Sequence, residues 1–297
     1  MLFRSLSRES RGFLLGCIAV TLFGGVLPMT RLAVADFEPI PLSIARAALG
    51  GLAAACGLLL ARCRWPTPDE ARRIAFVSAT VVIGFPVFTT LGMVSVPAAH
   101  GGVVLGLLPL TTAIIAALFA GERPSPAFWA LSALGAAIVI GYALRQGGGG
   151  VVLGDMWLLA AVLCAASGYS VSAGLSRAMP GWAVISWALA FVLPLSLTAL
   201  AFVWPVHHAG VAVSAWMGFL YISLISQYLA FFAWNSGLAL GGVARVAQLQ
   251  LLQPFITIGL AALVAGERID AETLACAALV LGVVLLSRQV SVRRKPS

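Results

Sequence analysis

The chain has 297 residues, 61% of them hydrophobic and 9% charged, with a mean hydropathy of +1.03 and a formal net charge of +8. That balance excludes an ordinary soluble domain, where about 45–50% of residues are apolar. The basic residues stand between apolar runs, so the charge reports membrane topology rather than nucleic-acid binding. The five cysteines show no CxxC spacing, so neither a disulfide framework nor a metal cluster is expected, and no cofactor.

A membrane span takes about 20 apolar residues. In chain order, ten spans are expected, at 12–34, 39–61, 74–96, 99–121, 126–145, 153–178, 182–203, 213–239, 243–265 and 271–288. The first follows Arg4, Arg8 and Arg11 and ends in Ala33-Val34-Ala35, which resembles a signal-peptidase site. It is too long for a usual signal core, and its Leu14-Leu15 and Gly24 recur as Leu158-Leu159 and Gly168, so it reads as the first helix. The second carries Arg46, about 10 Å from its outer end. Snorkelling to the outer surface is the expected role of Arg46, with attraction of an anionic substrate group as the other reading.

The fourth run contains Pro109 to Arg123, PLTTAIIAALFAGER, which recurs 145 residues later as PFITIGLAALVAGER, Pro254 to Arg268. Nine of the fifteen positions are identical, including the proline, Thr112 with Thr257, and the Gly-Glu-Arg ends, Gly121 to Arg123 and Gly266 to Arg268. The register also pairs Gly92 with Gly237 and His100 with Arg245. The chain therefore reads as two copies of a five-helix unit, residues 1–146 and 153–290. Between them, 147–152 with Gly147 to Gly150 forms a linker, and 291–297 is a basic cytoplasmic tail. No GK[ST] follows the glycines, so they are not a phosphate cradle.

Charge sets the orientation. One side holds fourteen basic residues, among them Arg62, Arg64, Arg72, Arg73, Arg123, Arg177, Arg245, Arg288, Arg293, Arg294 and Lys295. The other holds Arg31, Arg145 and Arg268 beside Asp36, Glu38, Asp155, Glu267, Asp270 and Glu272. By the positive-inside rule both termini are cytoplasmic. An odd number of helices per half forces the second half to run inverted, placing Glu122 inside and Glu267 outside. Inverted repeats of this kind are found in secondary transporters, with the substrate near the midplane between halves.

Both repeated prolines fall at the centre of their runs. A proline there frees the carbonyl four residues back, at Leu105 and at Gln250. The freed carbonyls either line an aqueous cavity and serve binding or gating, or are healed by Thr111, Thr112 and Thr257. On the eighth run Tyr228, Phe231, Phe232 and Asn235 follow helical spacing as one stripe, flanked by Gln227 and Trp234. On the ninth, Gln250 and Gln253 share a face while Gln248 points elsewhere. With Phe23, Ser167, Tyr169 and Ser170, these groups make either a cavity with a few hydrogen-bonding points or a set of interhelical hydrogen bonds. No Asp, Glu or Lys lies mid-span, His100 sits at an interface, and His207 and His208 fall in a loop. Facilitated diffusion or weak coupling follows, rather than a carboxylate proton relay.

The doubled plan, the P-x-x-T…A-G-E-R ends and Trp234-Asn235-x-Gly237 resemble the EamA family of the drug/metabolite transporter superfamily over nearly the whole chain. The resemblance implies an all-α integral membrane protein, ten transmembrane helices as two inverted five-helix repeats. Helices one, three, four, six, eight and nine would surround a central cavity, with five and ten at the periphery. The chain looks most like YddG-type exporters of amino acids, especially aromatic ones. Those exporters carry aromatics before the helix-four proline, where this chain has Leu105-Gly106-Leu107-Leu108, a departure that bears on aromatic selectivity.

The expected function is export of amino acids, or related small metabolites, across a bacterial inner membrane by alternating access, with the chain working as a monomer. The expected substrate site comprises Phe23, Ser167, Tyr169, Tyr228, Phe231, Trp234, Asn235, Gln250 and Gln253, with Pro109 and Pro254 as gating kinks. An exporter of drugs or toxic compounds shares the architecture. A sugar-nucleotide carrier would need more cavity charge than Arg46 supplies, and a channel fits the paired prolines less well. An intramembrane enzyme would need a carboxylate pair, a nucleophile with its base, or a metal cluster, and none is apparent.

Overall fold

The computed structural model describes residues 7–95, 104–119, 121–145, 153–203, 210–265, 271–290 and 292–294. Gly147 to Gly150, His100, His207, His208 and Gly266 to Arg268 lie outside the described residues. The described chain is almost entirely helical, and six of its helical runs are long and apolar enough to cross a membrane. Leu59, Leu60, Leu118, Phe119 and Phe202 stay exposed. In a soluble protein that surface would be an aggregation liability, whereas here it faces lipid. The chain is an all-α membrane protein.

The first run is two helices, α1 (Arg8–Gly24) and α2 (Val26–Val34), separated at Gly25. Next come α3 (Pro39–Leu60) and α4 (Pro68–Val77). Helix α4 starts earlier than the expected 74. Thr67 accepts from the Glu70 N–H while the Glu70 carboxylate accepts from the Thr67 N–H at 2.8 Å, and Pro68 opens the first turn. That capping box holds a charged turn, Asp69 to Arg73, ahead of the apolar run.

A π-helical stretch, Ser78–Gly84, leads into α5 (Phe85–Ser95). Then follow α6 (Leu108–Phe119), β1 (Glu122–Pro124), α7 (Pro126–Arg145), α8 (Leu153–Leu175) and α9 (Gly181–Val203). The eighth run comprises α10 (Val213–Leu220), a π-helical stretch Tyr221–Leu229, and α11 (Ala230–Gly241). The ninth comprises α12 (Val243–Ala247), a 3-10 stretch Gln248–Leu252, and α13 (Gln253–Ala265). Finally come α14 (Ala271–Gln289) and β2 (Val292–Arg294). Strand β2 pairs antiparallel with β1, so part of the basic tail is tied to the segment after α6.

Helix α3 packs along α9, α1 along α11, α5 along α8, and α7 along α14. Helix α8 also meets α6, as α13 meets α1. The pairing of α1 with α11 depends on glycine. A Cβ on Gly12 would stand 2.7 Å from the Gly241 Cα and 2.9 Å from the Gly237 carbonyl oxygen, so only hydrogen at all three positions lets the backbones approach this closely.

Candidate functional site

Four aromatic rings from three helices meet in the buried interior. Phe23 of α1 packs edge-on against Phe231 at 5.2 Å and Trp234 at 5.8 Å, both on α11. Tyr169 of α8 lies 6.1 Å from Phe231 and 5.3 Å from Trp234. The side-chain amide of Gln250, in the 3-10 stretch, faces the Tyr169 hydroxyl, and the Arg46 guanidinium of α3 lies within electrostatic reach of the same hydroxyl. All six side chains are buried. Among the described residues the Nε1 of Trp234, the Oε1 of Gln250 and the Nε of Arg46 have no hydrogen-bond partner. A buried polar group in that state is costly, about 1–3 kcal/mol.

Beside this cluster the first run is broken by sequence. Pro28 supplies no N–H, which frees the carbonyl of Gly24. Thr257 Oγ1 donates to that oxygen at 2.6 Å, Gln253 Nε2 donates to the Phe23 carbonyl at 3.3 Å, and the Tyr221 hydroxyl donates to the Leu22 carbonyl at 2.8 Å. Three consecutive carbonyls of the first run are thus held by side chains of the eighth and ninth. Gly25 leaves room for the Tyr221 ring, whose Cζ would lie 2.6 Å from an added Cβ.

The structure gathers Phe23, Tyr169, Phe231, Trp234, Gln250 and Gln253 and separates the rest of the expected site. Tyr228 turns to α9, where its hydroxyl is 3.2 Å from Ser186 Oγ, and packs on Phe232 at 4.8 Å. Asn235 Nδ2 donates to the Gly181 carbonyl at the start of α9, 3.1 Å. The expected stripe spans about 100° of helix surface at about 100° per residue, and about 160° with its flanking Gln227 and Trp234. It therefore meets two neighbours, and its Phe231 edge, continued by Gln227 and Trp234, is the one that faces the aromatic cluster. Gln227 Nε2 donates to the Val82 carbonyl at 3.3 Å. Ser167 and Ser170 return their hydroxyls to their own helix, as an intramembrane serine without another acceptor commonly does. Gln248 does point elsewhere, donating to Ser132 Oγ at 3.0 Å.

Pro109 and Pro254 each stand second in a helix, α6 and α13: a turn at Gly106-Leu107 precedes the first, and the 3-10 stretch runs directly into the second. There a missing N–H leaves fewer bonds unmade. Ahead of Pro254 the 3-10 turn lets the Gln253 N–H bond the Gln250 carbonyl that the proline cannot. Thr111 and Thr112 bond the carbonyls of Leu107 and Leu108, not of Leu105. Thr257 does heal a proline defect, but that of Pro28, which the repeat did not mark. The π-helical and broken segments also recur in register: Ser78–Gly84 moved by 145 residues falls on 223–229, inside Tyr221–Leu229.

Arg46 does not reach the outer surface, since it is only 5% exposed within the helix bundle. Sequence position gave its depth but not its neighbours. A second polar region closes the end where both terminal segments lie. Glu122, 1% exposed, accepts from the Val243 and Ala244 N–H groups at 2.8 Å each, capping α12. The Gly242 φ of 95° turns the chain there, a conformation that favours glycine. Arg245 pairs with Glu9 at 2.9 Å and donates to the Val290 carbonyl at 3.1 Å. Glu9, Glu122, Gly241, Gly242, Arg245 and Val292 border a cavity of about 260 Å³. Glu122 thus follows the end of its own helix and caps the start of another.

The model of the EamA-like transporter family matches residues 10–144 and again 152–288. The uncharacterized transporter YdeK of Bacillus subtilis is 42% identical over 284 residues, 96% of this chain and 99% of that protein. The aromatic amino acid exporter YddG of Ancylobacter novellus is 30% identical over 240 residues, 78% and 79% of the two chains. A probable terminal-alkyne amino-acid exporter of Streptantibioticus cattleyicolor is 27% identical over 288 residues, 94% of each. A crystal structure 21% identical to this chain, covering 95% of it and 99% of its own length, superposes with a TM-score of 0.75 and so shares the fold.

Proposed function

The chain belongs to the EamA-like transporter family, and from that premise we propose that it exports amino acids or closely related small metabolites. It does so by alternating access between two inverted five-helix halves, as a single chain with both termini cytoplasmic. The separate family matches to each half support this architecture. So do the helix pairings, in which exchanging the halves turns α1 with α11 into α8 with α5 and returns α3 with α9 to itself. The observation that carries the substrate reading is the buried box of Phe23, Tyr169, Phe231 and Trp234 around unmet polar groups. Such a box suits a small solute with an apolar body and a few hydrogen-bonding points. Two relatives are named as amino-acid exporters, which favours that class.

The box draws on α1, α8 and α11, and the carbonyls held by Gln253 and Thr257 join α1 to the ninth run. Movement of one half against the other would rearrange these contacts together, which is what alternating access requires. The test is counterflow in proteoliposomes against a panel of amino acids, with Trp234→Ala, Phe231→Ala and Ser167→Ala. Wild type is expected to exchange at least one aromatic or aliphatic amino acid. The two box variants should lose about ten-fold or more, and Ser167→Ala should match wild type. A wild-type protein that exchanges none of the panel ends the amino-acid reading, and box variants that keep full exchange end the site assignment.

A further inference from the structure

Arg46 lies in the interior, yet among the described residues no carboxylate pairs with it and its buried Nε has no hydrogen-bond partner. An unpaired buried cation is unfavourable, and inside a membrane protein it marks a functional site by default. Its neighbourhood says which function. Gln250 faces the Tyr169 hydroxyl and Arg46 lies within electrostatic reach of it, with Trp234 packed on the Tyr169 ring at 5.3 Å. Two of these present donors without acceptors, the Nε–H of Arg46 and the Nε1–H of Trp234, and Gln250 presents an acceptor without a donor, its Oε1. Phe23 and Phe231 close the apolar side.

We propose that Arg46, with Trp234, is the recognition point for a carboxylate, and that Gln250 receives a hydrogen-bond donor next to that carboxylate on the same ligand. This rests on the transport reading above and deepens it. The ligand class is an amphipathic α-amino or α-hydroxy carboxylate whose side chain lies against Phe23 and Phe231. Cationic compounds without an acid group are repelled by Arg46. A guanidinium suits the task because it can hold a carboxylate through two N–H groups.

The experiment compares binding of matched pairs by calorimetry on detergent-purified protein: phenylalanine with phenylalaninamide, and 3-phenylpropionate with 3-phenylpropionamide. Melting temperatures are recorded for wild type, Arg46→Met and Arg46→Lys. Wild type is expected to prefer each acid to its amide by about ten-fold or more. Arg46→Met loses that preference while melting at or above the wild-type temperature, because an apolar replacement removes an unpaired buried charge. Arg46→Lys keeps part of the preference.

The proposal is overturned if wild type shows no acid preference, if Arg46→Met retains it, or if Arg46→Met melts more than about 5 °C lower, which marks a structural role. The two readings fail separately. A protein that prefers 3-phenylpropionate through Arg46 but exchanges no amino acid refutes the transport reading alone. One that exchanges amino acids while Arg46→Met keeps the acid preference refutes the Arg46 reading alone.

Discussion

Replacing Glu122 by alanine removes both acceptors from the first two N–H groups of α12 at a site that is 1% exposed. Each N–H left without a partner costs about 1–3 kcal/mol, and loss of the carboxylate from a helix N-terminus adds to it. Water entering the adjacent cavity of about 260 Å³ would soften the loss, so the expected destabilisation is about 2–4 kcal/mol. For 297 residues an unfolding entropy of about 2.1 cal/mol/K per residue gives roughly 0.6 kcal/mol/K. The melting temperature should therefore fall by about 3–7 °C in a thermal unfolding assay on purified protein. Glu122→Gln keeps one accepting oxygen and should fall between alanine and wild type. Glu9→Gln is the control: its side chain is 67% exposed, and a surface ion pair contributes only about 0.2–1 kcal/mol. If Glu122→Ala melts within about 1 °C of wild type, or no lower than Glu9→Gln, the cap does not hold α6 to α12 and the reasoning fails.

Gly12→Ala would drive a Cβ against the Gly241 and Gly237 backbones, and should destabilise by about 1–3 kcal/mol and impair counterflow. Gly141→Ala, with no described atom within 4 Å, should be neutral or slightly stabilising by helix propensity; equal melting temperatures for the two variants would contradict the close crossing. Thr257→Val should cost about 1–3 kcal/mol by stranding the Gly24 carbonyl, and Thr257→Ser should restore it. In a Pro28→Ala background the penalty should shrink, since alanine in place of the proline supplies the missing N–H, and additive effects in that double-mutant cycle would rule out the healing role.

Much of this protein was readable along the chain because membrane crossing is a demand on local composition. The apolar runs marked the helices, and the two stretches that carry the PLTTAIIAALFAGER repeat are the ones the family model matches, residues 10–144 and 152–288. Helical spacing correctly set Gln248 apart from Gln250 and Gln253, and correctly brought Phe231 and Trp234 toward Phe23 and Tyr169. Spacing does not tell that Tyr228 and Asn235 turn to α9, because it fixes which residues share a face, not how many neighbours that face meets.

The decisive contacts join residues far apart in the chain, and no local pattern encodes such a pairing. The Glu122 carboxylate seats on Val243 and Ala244, 121 and 122 residues away, and Thr257 heals a carbonyl 233 residues back. Arg46 illustrates the division. Its place in the second run and its charge were plain from the sequence, and snorkelling was a reasonable expectation for a long side chain near a helix end. Only packing decided that the guanidinium lies inside, within electrostatic reach of Tyr169 and without a counter-ion among the described residues, because the energy of a charge depends on what surrounds it in space rather than on what precedes it in the chain.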